Sequence, residues 1–358
     1  MEEVIKDYPW MIYGATGRSG ELIARKAVAQ GLRPILAGRD ARAVQKIAEE
    51  LNLSWRAFGV GDWDKFKREV SKVNLFVNAA GPLKQTSVLV AESCLAACTH
   101  YFDLTNQIPS LVAMYTLDAE AKEKNLTLLP GLALSSAVSN CLVEHLHMLL
   151  PDADSVDIVL EPFMKDHIPE ANLTLAENLA QGGFRRCGGA LERYRFGSGL
   201  MEAGLPTGIR SVLPSALGDV EAAYRDTKLP NIAAYIATDI PLLFSGVRQT
   251  ESRHRGNGTR YNHSDDNVPT DDRYSLVWAR MSKEGQNFLE GWIEFGEAHE
   301  FTATVVIAGV SRLLEQKQLS AGALTPAAAL GPDFILNLPN VKRTVQPKVR
   351  KDNVAASD

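Results

Sequence analysis

The chain has 358 residues, 45% hydrophobic and 23% charged, with a formal net charge of −5. At roughly 100–200 residues per domain, this length calls for two domains, and the apolar fraction excludes disorder as the main state. A mildly acidic chain lacks the basic footprint of a general nucleic-acid binder, so small molecules or proteins are the partners its charge points to, and a small-molecule substrate with no nucleic acid is expected.

Taken in order, the elements alternate. Pro9 to Tyr13 is a short apolar strand that runs into glycine, and Glu21 to Gln30 follows at helical spacing with Gly31 as C-cap. Arg33 to Ala37 reads as a second strand, Ala41 to Leu51 as a helix with one apolar face, and Trp55 to Val60 as a third strand. A charged helix over Asp64 to Val70 precedes Leu75 to Ala79, a near-continuous apolar run of the kind buried on both faces of a parallel sheet. Thr86 to Cys98 is the next helix, His100 to Leu104 a strand, Leu111 to Lys124 a helix, and Leu126 to Leu129 a strand stopped by Pro130-Gly131. Strand after strand separated by helix is the pattern of a doubly wound α/β fold with a parallel sheet.

Beyond Pro151 the alternation ends. Ser155 to Pro162 reads as a strand, Asn172 to Gln181 as a helix, Gly182 to Gly208 as loops and short strands, and Gln249 to Arg273 as a long polar loop. Tyr274 to Met281 and Phe288 to Phe295 form an expected antiparallel hairpin, and Phe301 to Leu314 an apolar helix. From Lys342 to Asp358 a loose tail is expected. The start, Met1 to Ile5, shows no leader pattern, and no run of about 18 uncharged apolar residues appears. The nearest, Ala233 to Val247, is short and holds Asp239. Four cysteines do not frame a disulfide scaffold, and Cys94 and Cys98 read as small helical residues with no metal site expected. A cytoplasmic protein without a membrane span is expected.

The strongest local signal is Gly14-Ala15-Thr16-Gly17-Arg18-Ser19-Gly20, three glycines between an apolar strand and a helix. Dinucleotide binding needs glycine there for a tight turn, for backbone approach to a pyrophosphate, and for close helix–strand packing. The helix N-terminus adds partial positive charge. Gly14, Thr16, Gly17, Arg18, Ser19 and Gly20 are therefore candidate cofactor-binding residues. The second strand ends in Gly38-Arg39-Asp40, with Arg39 where an NAD binder carries an acid, so NADP(H) is expected. A solvated Arg39 with Asp40 capping the next helix is the alternative, and both readings hold together. Asp62 after the third strand is a candidate acceptor for the adenine amino group. Ala79, Ala80, Gly81 and Pro82 after the fourth let a ribose lie close to backbone.

Together Tyr13-Gly-Ala-Thr-Gly-Arg-Ser-Gly20, Ala37-Gly-Arg39, Val77-Asn-Ala-Ala-Gly-Pro82, His100-Tyr-Phe-Asp-Leu-Thr105 and Gly322 to Gly331 resemble the saccharopine dehydrogenase-like oxidoreductases, trans-acting enoyl reductase-type members included. The resemblance implies a Rossmann domain interrupted by an α+β substrate domain with a mixed or antiparallel sheet, C-terminal helices returning to the cofactor domain, and NADPH-linked chemistry at a C–N or C=C bond. The expected division is 1–135 for dinucleotide binding, 136–300 for substrate and dimerisation, 301–338 for the returning helices and 339–358 for the tail. A homodimer through the middle sheet is expected.

For the chemical step, period-two alternation puts Tyr101 and Asp103 on one face of the fifth strand, as candidate proton donor and candidate holder of a cationic substrate. Asp103 capping a turn and Tyr101 in the core is the alternative. Ser135, Ser136, Ser139 and Asn140 are expected to cap the helix after Gly131 or to touch the nicotinamide side. Arg185 and Arg186 suit either a substrate carboxylate or a surface loop, and His254, Arg255 and His263 a lid. The sequence leaves three functions open: a reductase of an imine or conjugated alkene, an NADP-binding sensor without turnover, and an enzyme that uses bound nicotinamide without net redox change.

Overall fold

The computed structural model describes residues 8–164, 182–194, 198–199, 201–237, 274–283, 288–316 and 319–348. Its first part alternates β1 (Trp10–Tyr13), α1 (Arg18–Ala29), β2 (Ile35–Gly38), α2 (Ala41–Leu51), β3 (Trp55–Ala57), α3 (Trp63–Val70) and β4 (Leu75–Asn78). It continues with α4 (Leu83–Ala96), β5 (His100–Asp103), α5 (Ile108–Tyr115), α6 (Asp118–Glu123) and β6 (Thr127–Leu129). All strand pairs here are parallel, in the order β3-β2-β1-β4-β5-β6. The order reverses between β1 and β4, and ligands of open α/β sheets bind outside the carboxyl ends of the strands at that point.

Local sequence explains most of these elements. β1 and β4 are buried at every position because helices cover both faces of the sheet. Asp40 starts α2 by accepting the Ala43 N–H, and Asp62 starts α3 by accepting that of Lys65. The helix expected over Leu111 to Lys124 is two helices. α5 begins earlier because Pro109 is tolerated in a first turn, and it ends where the Thr116 hydroxyl bonds back to the Ala113 carbonyl.

The second part opens with α7 (Leu134–Leu149), β7 (Ser155–Glu161), β8 (Phe184–Cys187), β9 (Ala190–Arg193), β10 (Met201–Leu205) and β11 (Gly208–Pro214). Then come α8 (Asp219–Thr227), β12 (Asn231–Ala237), β13 (Ser275–Ser282), β14 (Phe288–Phe295), α9 (Ala298–Gln316), β15 (Gly322–Ala323), α10 (Pro326–Leu330) and β16 (Lys342–Lys348). The second sheet runs β10-β11-β12-β7-β13-β14-β16, with the β8–β9 hairpin on β12, and is antiparallel except for β12 on β7. Gly182 to Gly208, expected as loops and short strands, supplies β8, β9 and β10, and the 274–295 hairpin is present as β13 and β14. The strand β12 takes up the start of the apolar run at Ala233. No helix among the described residues is long and apolar enough to cross a membrane.

The tail expected from residue 342 is corrected over Lys342–Lys348. That segment is the edge strand β16, antiparallel to β14, with Lys342 opposite Glu294 and Thr344 opposite Trp292. Opposite charges and a β-branched–aromatic pair favour such cross-strand pairing, and Pro347 is compatible with an edge strand. The C-terminal part thus serves both sheets, because β15 also adds to the first sheet beside β6.

One core joins the two sheets. Ile12, Val77 and Phe102 of the first sheet, Val138 and Leu142 of α7, Val306 and Val310 of α9, and Ile158, Val277 and Ile293 of the second sheet belong to a single buried cluster. The opposite face of the first sheet holds a separate aromatic cluster of Tyr13, Phe58, Phe66 and Phe76, with ring centroids 5.3 to 5.9 Å apart. The helix expected over 172–181 and the polar loop 249–273, with His254, Arg255 and His263, lie outside the described residues.

Candidate cofactor and active site

The glycine loop leaves the end of β1 and enters α1. Gly14 has φ +86°, and a Cβ there would lie 2.6 Å from the Ala80 backbone. A Cβ on Gly20 would meet the Gly14 carbonyl oxygen at 2.2 Å. The first glycine therefore lets the β1 and β4 loops touch, and the third lets α1 close on the turn. Gly17 is the N-cap of α1 and carries no capping side chain, which leaves the helix N-terminus open to an anion. Thr16, Gly17 and Arg18 are exposed, whereas Ser19 is half-buried.

Arg39 follows β2 directly and is exposed. Its stem lies against Gly59, since a Cβ there would be 3.6 Å from Arg39 Cγ. Burial raises the Tyr13 phenol pKa, and the Arg39 charge offsets part of that rise. Asp40 is the cap of α2, and Arg39 stands exposed beside it. Asp62 is exposed and uses one carboxylate oxygen on the α3 cap. The turn Ala79-Ala80-Gly81-Pro82 adjoins the glycine loop, with Pro82 as the N-cap of α4.

At β4 and β5 the site is built from buried side chains. Asn78 and Asp103 stand opposite each other in register. Asn78 Oδ1 accepts the Ala80 N–H at 3.2 Å, and its Nδ2 donates to Tyr101 Oη at 3.1 Å. The Tyr101 hydroxyl donates to Asp103 Oδ2 at 2.8 Å. Asp103 Oδ1 accepts the N–H of Thr105 at 2.9 Å and that of Gly131 at 3.1 Å. Burial raises the Asp103 carboxyl pKa above the usual range, against the pull of the Thr105, Tyr101 and Gly131 donors. It also pushes the Tyr101 phenol far up.

Tyr101 and Asp103 share a face and turn toward each other. Tyr101 is 0% and Asp103 1% exposed, and the phenol proton is engaged by the carboxylate. The Asp103 carboxylate holds the turns at Thr105 and Gly131, and Tyr101 is bonded to it. Asn78 completes the set and was not singled out in the sequence as a site residue. The signal for it is a polar residue at the end of an otherwise apolar strand, since a buried amide must be satisfied.

The expected capping of α7 is also corrected. Its N-cap is Ala133, without a side-chain hydrogen bond, and the serines lie inside the helix. Ser139 donates to Asp219 at 2.6 Å, and Asn140 donates to Asp226 at 2.7 Å while accepting the Ala327 N–H. Ser136 is 1% exposed and its hydroxyl has no hydrogen-bond partner. It lies beside Gly131 and the Thr105 carbonyl, because a Cβ on Gly131 would be 3.4 Å from Ser136 Cβ and 3.3 Å from that oxygen. From the second part, Gly218 donates its N–H to the Asn106 carbonyl, and Gln107 bridges to Leu217.

Arg186 is a half-buried structural residue. It pairs with Glu221 at 2.6 Å, donates to the Gly189 carbonyl at 2.7 Å and stacks 3.5 Å from the Tyr224 ring centroid. Arg185 pairs with Glu192. No group of three or more His, Cys, Asp or Glu gathers as a metal site among the described residues. A surface cavity of about 660 Å³ lies between α9 and residues 330–339, and none of the expected site residues lines it.

A parallel sheet reversing at β1/β4, with an uncapped glycine-loop helix and an arginine after β2, makes the first part a Rossmann-type fold. Residues 10–129 match the sequence model of the family described as saccharopine dehydrogenase NADP binding domain. Among solved structures it is similar to apo saccharopine dehydrogenase (L-Glu forming) from Saccharomyces cerevisiae. The TM-score is 0.65 at 10% identity, covering 95% of this chain and 100% of that one, a likeness of fold. A probable dehydrogenase from Thermotoga maritima is more distant, with TM-score 0.45 and 9% identity over 92% of this chain and 93% of that one. Comparison with curated protein sequences finds no match.

Proposed function

We propose that the protein is an NADPH-dependent reductase acting on a C=N or conjugated C=C bond of a small organic substrate. The observation that carries this reading is the contact of the Gly14 and Ala80 backbones beside an uncapped helix N-terminus, with Arg39 at the next strand end. The two loops leave no room for a Cβ between them, and the open helix N-terminus beside them forms a cradle that suits a pyrophosphate. Backbone N–H groups of the first turn of α1 hold the pyrophosphate, with Thr16, Arg18 and Ser19 around it, while those of Gly14, Ala15 and Gly17 are bonded within the fold. Arg39 holds the ribose 2′-phosphate by its planar donor fork, Asp62 faces the adenine, and Ala79 to Pro82 bound the nicotinamide ribose. When bound, the nicotinamide supplies hydride. The chain contributes orientation and water exclusion, with the Ser136 hydroxyl as a buried hydrogen-bonding group at the nicotinamide end.

In this reading the protein is cytoplasmic and a homodimer through its second sheet, which sedimentation of the purified chain tests. Residues 136–300 form the substrate domain. One observation favours a second reading, an NADP-binding sensor: the acid and phenol of β5 are spent on each other. Incubation with NADPH and a panel of imines, enones and keto-acid/amine pairs separates the two. Consumption of NADPH supports the reductase, and micromolar binding without turnover across the panel supports the sensor.

A further inference from the structure

The fully paired chain Ala80–Asn78–Tyr101–Asp103–Gly131 crosses the ends of three adjacent strands, β4, β5 and β6. Its direction is fixed at one end by a backbone N–H, which can only donate, and at the other by a carboxylate that accepts three donors on two oxygens. Between them the Asn78 amide and the Tyr101 hydroxyl each have one arrangement that satisfies both neighbours. Rotating either would leave a buried donor or acceptor unpaired. The Ala80 end touches the glycine loop at Gly14. The Asp103 end fixes two turns, through the N–H groups of Thr105 and Gly131 and through its own carbonyl, which accepts from Leu132. The first turn contacts the second sheet's part through Asn106 and Gly218, and the second enters α7 beside Ser136.

We infer that Asn78, Tyr101 and Asp103 are positioning residues that set the nicotinamide-side turns, 104–107 and 131–133, at a fixed distance from the pyrophosphate loop. The inference rests on the proposed cofactor reading. A rigid relay of this kind acts only on the half of the dinucleotide beyond the pyrophosphate. The adenosine half lies toward β2 and β3, on the other side of the switch point, and does not feel it.

Y101F removes one oxygen and keeps the ring. The test measures binding of NADPH and of adenosine 2′,5′-bisphosphate, which lacks the nicotinamide half, to the full-length wild type and to Y101F. It is joined by hydrogen exchange at the Thr105 and Gly131 amides. The expected result is about tenfold weaker NADPH binding, bisphosphate binding within about twofold of wild type, and faster exchange at both amides. Equal weakening of both ligands would show general structural damage and overturn the inference, as would unchanged NADPH binding. Should Y101F prove unfolded at the working temperature, D103N, which keeps the shape and loses the anionic acceptor, is read by the same criteria. Failure of the wild type to bind either ligand would instead remove the cofactor reading, and the positioning role with it.

Discussion

Along the carboxyl edge of the first sheet, the ends of β1, β2 and β3 and the ends of β4, β5 and β6 are built by different means. The first half is backbone and exposed side chains: a glycine loop, an uncapped helix, Arg39 and Asp62. The second is a buried side-chain network in which Asn78, Tyr101 and Asp103 satisfy one another and hold two turns. Under the proposed function the two halves have different tasks. A phosphate is bound by N–H groups that any sequence supplies once glycine clears the way, whereas placing a reacting ring needs turns held relative to each other.

The largest expected effect breaks the first half. Gly14→Ala places a Cβ 2.6 Å from the Ala80 backbone in a left-handed conformation. Together these cost about 3 kcal/mol. Thermal unfolding should show that loss, and NADPH titration should show no binding at millimolar concentration. An alanine variant that binds normally would mean the two loops do not form the cradle.

The next probes the strand under the second half. His100 of β5 is buried and accepts the Thr127 N–H on Nδ1 at 3.0 Å. Burial lowers its pKa from 6.5 to about 4. The neutral form is therefore favoured in the fold. Its contribution is complete above pH 6.5 and is lost as pH falls toward 4, reaching about 3 kcal/mol. H100Q, whose amide oxygen accepts the same N–H without titrating, should lose less stability over that window in denaturant melts at stepped pH. Parallel curves for the two proteins would refute the assignment.

Arg39→Asp sharpens the comparison at a smaller scale. It should weaken NADPH at least tenfold, about 1.4 kcal/mol, and change NADH little, because only the 2′-phosphate meets residue 39. Equal loss for both dinucleotides in parallel titrations would remove the phosphate contact. The smallest effect belongs to Asp62→Ala, which deletes the α3 cap and should cost about 1 kcal/mol in a melt.

The two halves were not equally legible in the sequence. Gly14, Gly17 and Gly20 between an apolar run and a helical run mark a dinucleotide loop because backbone geometry demands glycine there, and Arg39 stands out by its place after the second strand. The alternation through Leu129 carried the parallel sheet in the same way. Tyr101 and Asp103 were visible as polar residues on one strand face, but spacing alone does not tell whether a phenol and a carboxyl turn toward a ligand or toward each other. That depends on the register of β5 against β4, which puts Asn78 opposite Asp103, and register is a tertiary property. The strand at Lys342–Lys348 escaped notice for a similar reason, since a short, basic edge strand owes its structure to the partner it pairs with.

The most direct test of the central claim is equilibrium titration of the full-length protein with NADPH and with NADH, followed by nicotinamide fluorescence. The account expects micromolar binding of NADPH, at least tenfold tighter than NADH. Binding of neither dinucleotide, or a preference for NADH, would contradict it.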